Sequence, residues 1–216
     1  MAKDLRRRLM GRDPAYPDWE LTGSYSVEEV ADRLVTMFYD ELYLTEFPPA
    51  TSPPAPLGML VAGYSAGAKA AEARVVLIED PQTRPTPELV VAQDQYGWIA
   101  FAQPEATERL FNGFDSTLRV LLQQALPPTE WLKVSGLFPQ FTRQPVLPAM
   151  PFGDAIDLSR FLVDVTIGYN HYLLGPDIVG GPVEVAGITR HEGFKWVSRK
   201  HYYSATLNPE EPRHAD

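Results

Sequence analysis

The chain has no cysteine among its 216 residues, so disulfide bonds, thiolate metal sites and a cysteine nucleophile are excluded. No apolar run approaches the ~18 residues that a membrane helix needs, and residues 1–11 lack the apolar centre of a secretory signal. Neither of the glycine motifs that cradle phosphate groups occurs. These absences predict a cytoplasmic protein without a cofactor.

Basic residues are also scarce, because 19 lysines and arginines stand against 28 acidic residues and give a formal charge of −9. Binding to a phosphate backbone needs clustered lysine and arginine, so we expect no nucleic-acid partner. The lack of a long apolar run predicts no membrane partner either. The few histidines show no spacing typical of metal ligands. We expect surface or core roles, and no metal site, for His171, His191, His201 and His214.

Two amphipathic segments open the chain. Residues 3–10 follow a short helical pattern that contains the run Arg6–Arg8. Three adjacent arginines can bind an anion, but a solvated helix face or a junction with a preceding segment is the simpler interpretation. Further on, Ser26 and Glu29 have the spacing of a capping box. They predict a helix over 27–43 with one apolar face, formed by Val30, Leu34, Met37, Phe38 and Leu42.

The middle of the chain predicts four strands followed by two helices. The strands are expected at 57–64, 73–78, 88–92 and 96–102. The first is apolar on both sides, which suits a sheet covered on both faces. Pro104 begins a helix that ends before Gly113, and a second helix covers Ser116–Ala125 and stops at Pro127 and Pro128.

The segment from Asp154 to Tyr203 predicts a long helix and a closing hairpin. Asp154 is expected to accept the first free amides of the helix. The helix should end at Gly175-Pro176, before a hairpin with strands at 183–189 and 194–197. Its predicted apolar face consists of Leu158, Leu162, Val165, Tyr169 and Leu173. Helices and strands in this order indicate the α+β class.

This helix, loop and hairpin resemble the C-terminal part of a proteasome-type subunit, which belongs to the N-terminal-nucleophile (Ntn) hydrolase superfamily. The resemblance lies in the acidic start at 154–158 and in the runs at 180–185, 188–189 and 193–196. The likeness is to the uncharacterised bacterial proteasome-like proteins rather than to the housekeeping particle. It extends over nearly the whole chain.

The resemblance implies a four-layer αββα sandwich, as one domain over residues 1–206 before a disordered acidic tail at 207–216. The family's first strands, which carry the nucleophile and the lysine that tunes it, have no counterpart here. The fold is therefore expected to be N-terminally incomplete. A strand such as 57–64 would then have an open edge. We expect a partner strand or the arm at 1–23 to pair with this edge, and otherwise we expect the chain to aggregate.

The resemblance also implies how catalysis would work, and the chain departs from it. An Ntn hydrolase uses the hydroxyl and the free amine of residue one, but Met1 and, after trimming, Ala2 have no nucleophilic atom. An internal residue released by processing would have to start a strand. Thr166 lies inside the predicted long helix and Thr189 leads into the hairpin, so no residue is predicted to be catalytic.

The family's supporting residues are mostly replaced. Residues 100–102, Ala-Phe-Ala, stand where the resemblance implies a Ser-Gly pair. Asp177 matches the aspartate before the turn that follows the long helix, but Gly180 replaces the expected serine. Asp177 is thus the one candidate support residue, and a turn aspartate bonding local amides is the competing interpretation. Asp164 shares a helix stripe with Asp157, which favours a solvated face.

Two proline-rich windows, 47–56 and 137–151, mix prolines with apolar residues. Apolar side chains displayed outside regular structure indicate an interface, although the first window also allows a PxxP ligand. The aromatic residues near the C-terminus are expected to fill the core or a subunit interface rather than stack on a ligand: Phe194, Trp196 and Tyr202.

Three functional hypotheses remain, and whether the chain is an enzyme stays open. The first is a proteasome-like protein that is non-catalytic and acts through assembly, as a homo-oligomer or ring. The second is an Ntn threonine or serine hydrolase of peptides or amides, whose nucleophile lies upstream or on another chain. The third is a module that binds a small molecule in the cleft of the sandwich.

Overall fold

The structure, a computed structural model, describes residues 2–47, 56–80, 82–176 and 178–199. The chain divides into two compact units, residues 1–95 and residues 96–216. The first unit contains a three-stranded sheet, and the second contains helices and a two-stranded hairpin. The predicted α+β class is confirmed. The single domain over 1–206 and the tail at 207–216 stay predictions.

The first unit is built on a long helical segment that begins at the predicted cap. The Ser26 side chain accepts a hydrogen bond from the backbone N–H of Glu29 at 3.0 Å, whereas the Glu29 carboxylate binds Arg33 at 2.5 Å. The predicted hydrogen bond between the Glu29 amide and the Ser26 side chain is therefore confirmed, whereas the Glu29 carboxylate has a different partner from the predicted one. The helical elements are α1 (Ala2–Leu9), a 3-10 turn (Pro17–Trp19), α2 (Val27–Val35), a π-helical stretch (Thr36–Tyr43) and α3 (Leu44–Glu46).

The π-helical stretch changes which residues face the core. The periodicity of an α-helix predicts Phe38 and Leu42 on the buried face, but both are only half-buried, while Tyr39 and Tyr43 are buried. Hydrogen bonds from i to i+5 widen the turn and shift the register of the face. The two tyrosine rings stack at 5.9 Å between centroids.

The sheet has the order β1–β2–β3 with antiparallel neighbours, and its strands are β1 (Leu57–Gly63), β2 (Glu72–Ile78) and β3 (Glu88–Val91). Side chains alternate between the two faces of a strand, and one face of this sheet packs against the helical segment. The resulting core contains Leu34, Val35, Tyr39, Tyr43, Val76 and Ile78. On the opposite face Leu60 is 52% exposed and Leu77 is 46% exposed. The expectation of a sheet covered on both faces is therefore wrong for this strand pair.

The predicted strand at 96–102 is also wrong, because this segment has irregular backbone. A strand needs a neighbour that completes its hydrogen-bond ladder, and no backbone pairing of that kind is found for it within the described residues. Tyr96, Ile99 and Phe101 remain about half exposed. Ala102 has φ 69, which turns the chain out of extended geometry.

The second unit contains the three predicted helices and one that was not predicted. Gly113 follows α4 with φ 77, the left-handed conformation that favours glycine at this position. Pro128, predicted only as a helix stop, is also the first residue of the unpredicted helix. The helices are α4 (Glu105–Asn112), α5 (Ser116–Ala125), α6 (Pro128–Ser135), a 3-10 turn (Phe138–Gln140) and α7 (Phe152–His171).

Helix α7 and the hairpin β4 (Val185–Thr189) and β5 (Gly193–Ser198) occur as predicted, but the helix ends at His171, four residues before the predicted end at Gly175-Pro176. The helix begins two residues before Asp154, so this carboxylate lies in the first turn instead of capping it. The predicted apolar face is half-buried except for Leu173, which lies beyond the helix end and is 50% exposed. The ring of Phe152 packs directly on Gly187 of β4.

Candidate functional site

The residues considered as nucleophiles are used in local structure. The Thr166 hydroxyl donates to the backbone oxygen of Leu162 at 2.9 Å inside α7. The Thr189 hydroxyl accepts from the backbone N–H of Glu192 at 3.0 Å and closes the hairpin turn. Asp177, the candidate support residue, lies outside the described residues. The hydroxyls of Thr166 and Thr189 are therefore engaged with local backbone groups.

Residues 100–102 form a tight turn where the resemblance implies a Ser-Gly pair. The backbone N–H of Gln103 donates to the oxygen of Phe101 at 2.9 Å, across Ala102 with its φ of 69. Such an i to i+2 turn around a residue with positive φ is rare and strained. The turn leads into α4, but its side chains carry no hydroxyl or other reactive group.

A polar network ties α4, α5 and α7 together. The Asp115 carboxylate, 3% exposed, accepts from the Leu118 backbone N–H at 2.7 Å and from the Arg109 guanidinium at 2.5 Å. The Leu118 amide, followed by Arg109, holds the pKa of the Asp115 carboxyl below its ordinary value despite burial. Arg109 also donates to the Tyr169 hydroxyl. The network is a helix cap with an ion pair, and its charges are already satisfied.

His171, His191 and Asp164, which the structure describes, belong to no group of metal-binding side chains there. His171 ends α7 and packs edge-on against Tyr172, at 5.0 Å between ring centroids. His191 lies in the hairpin turn, and the other two histidines lie outside the described residues. No group of three metal-binding side chains occurs in the described part of the chain. Asp164 is exposed and lies 3.9 Å from Arg160, which confirms the solvated face.

The arginine run near the N-terminus is not the uniform solvated face that we expected. Arg8 is buried and lies 3.4 Å above the centroid of the Tyr16 ring and 4.8 Å from that of Trp19. Its Nη1 is 2.8 Å from the Glu41 carboxylate. Arg6 is exposed. The long-range partners of Arg8 explain its burial, because a buried guanidinium needs paired charge and aromatic contacts.

A cleft of about 630 Å³ lies in the second unit. It combines the rings of Phe114 and Phe138, stacked at 4.2 Å, with polar side chains. Its hydroxyls have no neighbouring histidine or lysine in the lining to activate them as nucleophiles. The residues that line it are Glu108, Asn112, Phe114, Ser116, Arg119, Ser135, Phe138, Pro139, Thr142 and Gln144.

The strongest functional feature is the apolar surface of the second unit. Among its described residues, only Ala106 and Val185 are buried apolar side chains, whereas the first unit buries a full cluster. No residue of α5 or α6 is buried. The exposed large apolar side chains of the helical part include Leu110, Leu118, Val120, Leu121, Leu132, Phe161 and Val163.

The window 137–151 contributes to this surface as predicted. Leu137, Phe141 and Leu147 are between 49% and 64% exposed. Phe138 instead packs on Phe114 and is half-buried. The other window, 47–56, lies mostly outside the described residues, so its interface and PxxP interpretations stay predictions.

The hairpin displays aromatic residues as well. Phe194 and Trp196 meet edge to face at 5.3 Å on β5, and they are 55% and 48% exposed. Of the two alternatives, the core is thus excluded for this pair and an interface fits its exposure. Tyr202 lies outside the described residues.

None of the helices in the described part of the chain has the length and apolar character that a bilayer crossing requires. The cytoplasmic location stays a prediction. In comparisons with known proteins, no family model, no curated protein and no solved structure matches the chain.

Proposed function

We propose that this chain is a proteasome-like, Ntn-fold protein that is non-catalytic by itself and acts by assembling with further copies of itself. The observation that carries the proposal is the excess of exposed over buried apolar side chains among the described residues of the second unit. Large contiguous apolar patches on soluble proteins are typical of interaction sites.

The magnitude of this excess supports an obligatory partner. Burying one large apolar side chain is worth about 1.5–3 kcal/mol, while a whole domain is stable by only ~5–15 kcal/mol. Leu121, Leu132 and Phe141 alone, each more than half exposed, represent a burial energy comparable to that net stability. An assembly that covers them would stabilise the second unit substantially.

The four-layer sandwich is the finer part of this proposal. It is supported by the order of the elements, helix, antiparallel strands, two helices, long helix and hairpin. It is also supported by the apolar character of the sheet face with Leu60 and Leu77, since sheets in such a sandwich stack face to face. In this proposal assembly brings a second sheet to that face, which stays bare in the dilute chain.

The hydrolase alternative predicts a different chemical behaviour. Because the Thr166 and Thr189 hydroxyls are used in local backbone hydrogen bonds and residues 100–102 offer no hydroxyl, we expect no covalent adduct with a threonine-directed epoxyketone or vinyl sulfone. Intact-mass spectrometry after incubation with each probe is the measurement. A stoichiometric mass increase that maps to a threonine or serine of this chain would refute the non-catalytic assignment.

Self-assembly is tested by the molar mass in solution. We expect light scattering to show at least twice the chain mass of 24.2 kDa at tens of micromolar, roughly where interfaces of ordinary affinity are populated. A clean monomer at that concentration would contradict the proposal.

A further inference from the structure

The outer edge of β1 has no neighbouring strand within the described residues. The sheet order places β1 at one end, with β2 on its inner side only. Beyond that ladder, no backbone hydrogen bond of residues 57–63 is found within the described part of the chain. The predicted repair by the arm at 1–23 does not occur as a strand, because its described residues form α1, a 3-10 turn and loops.

Natural edge strands are usually blunted by charges, prolines, bulges or short length. The strand β1 has seven residues, Leu-Gly-Met-Leu-Val-Ala-Gly, and contains no charge and no proline. Its pairing with β2 is regular over its whole length. The other edge is different, because β3 has only four residues, carries Glu88, and its ladder is irregular opposite Ala73 and Arg74.

We infer that β1 pairs antiparallel with β1 of a second copy, so that two sheets join edge to edge into a continuous six-stranded sheet. This inference rests on the proposed assembly function and names one contact of that assembly. Strand addition of this type draws its affinity from main-chain hydrogen bonds and its specificity from the side chains that alternate along the strand.

The register follows from the sequence of β1. Antiparallel pairing around a two-fold axis through Leu60 is the arrangement that pairs all seven residues. Leu60 then faces the partner's Leu60, and Met59 faces the partner's Val61, so the three central positions pair apolar side chains on the same face, while Leu57 faces the partner's Gly63. A shift by one residue would place core-side residues opposite solvent-side residues.

The absence of charged residues in β1 also suits pairing with a second copy. The chain carries a formal charge of −9, so two copies repel each other over most of their surface. Like charges directly opposite each other destabilise a strand pair, and β1 offers none. The Leu60 side chains, 52% exposed in the single chain, would also meet across the seam and be partly removed from water.

Cysteine cross-linking tests the register, because the chain has no native cysteine. In the inferred pair the two Leu60 Cα atoms lie about 4.5–5.5 Å apart, within the range that a disulfide spans. We expect Leu60→Cys to form a covalent dimer on mild oxidation with diamide. The control is Leu89→Cys on β3, which has similar exposure, 44% against 52%. Its copies would lie about 24 Å apart, five strand spacings, and should stay uncross-linked.

A charge at the same position tests the contribution to affinity. We expect Leu60→Lys to raise the dissociation constant of the assembly at least about tenfold, because two ammonium groups would face each other. Leu89→Lys should change it less than about threefold. Far-ultraviolet circular dichroism and thermal melts of both variants check the fold, and if Leu60→Lys does not fold, the cross-linking result decides alone.

The outcomes separate the inference from the function on which it rests. Cross-linking confined to Leu60→Cys supports the β1 pairing. If the wild type assembles but Leu60→Cys does not cross-link, or Leu89→Cys cross-links equally well, the edge pairing is wrong while the assembly proposal stands. If the wild type stays at the chain mass of 24.2 kDa and Leu60→Cys does not cross-link, both are wrong.

Discussion

Ile78→Ala is expected to lower the free energy of unfolding by about 2–5 kcal/mol, the largest effect of a single conservative truncation in the first unit. Ile78 is fully buried and lies in the cluster between the helical segment and the sheet. Removing three methyl or methylene groups there forfeits their burial and leaves a cavity that Val35 and Val76, both fully buried as well, cannot fill without moving. Urea unfolding followed by circular dichroism measures the change.

The neighbouring residue is the matched control. Leu77 precedes Ile78 on β2 but points to the other face, where it is 46% exposed. We expect Leu77→Ala to cost below about 1 kcal/mol in the dilute, unassembled chain, since only part of the side chain is removed from water. Equal costs at both positions would show that the unassembled sheet is covered on both faces, contrary to the structure.

Arg8→Ala is expected to lower the free energy of unfolding by about 2–4 kcal/mol. The guanidinium lies against two aromatic rings, each contact worth ~0.5–2 kcal/mol, and its hydrogen bond to a carboxylate adds ~1.5–3 kcal/mol. Without it, α1 loses its link to Glu41 and to the loop that carries Tyr16 and Trp19. Chemical denaturation monitored by tryptophan fluorescence follows the loss, since Trp19 lies in the affected contact.

The controls for Arg8 come from the same run of arginines. Arg6→Ala removes the same charge from an exposed position, so a change within about 0.5 kcal/mol is expected. Arg8→Lys keeps the charge but loses the planar group that stacks on the rings, and should fall between the two. If Arg6→Ala and Arg8→Ala had the same effect, net charge rather than these contacts would be responsible.

The local elements of this fold were predictable wherever a nearby residue determines them. Ser26 marks a helix start because its hydroxyl reaches an amide three residues away. Gly113 marks a helix end because the chain turns there through a left-handed conformation. The closing hairpin was predicted from two extended runs joined by a turn at 191–193, and the two strands pair in the structure.

The wrong predictions concern residues whose structure depends on partners far away in the sequence. Residues 96–102 have the composition of a strand, but no partner strand completes a ladder with them in the described residues. The sequence predicts Arg8 on a solvated helix face, because its contact with Glu41 lies 33 positions away. The π-helical stretch at Thr36–Tyr43 rotates Tyr39 and Tyr43 into the core against the simple periodicity.

At the candidate interface, too, local features could be predicted from the sequence and long-range contacts could not. The sequence indicated the window at 137–151 as an interface, because prolines keep its apolar residues outside regular structure. It did not indicate that α5 and α6 would bury none of their residues, since an amphipathic pattern does not reveal whether its apolar face finds a partner within the chain. That exposed face is what makes assembly the central claim.

Sedimentation equilibrium over a dilution series from about 50 to 1 micromolar tests that claim most directly, because this range brackets interfaces of ordinary affinity. We predict a molar mass at or above twice the chain mass of 24.2 kDa at the upper end, falling toward the chain mass on dilution if the contact is reversible. A mass equal to that of one chain at every concentration, for a protein that unfolds cooperatively, would contradict the account.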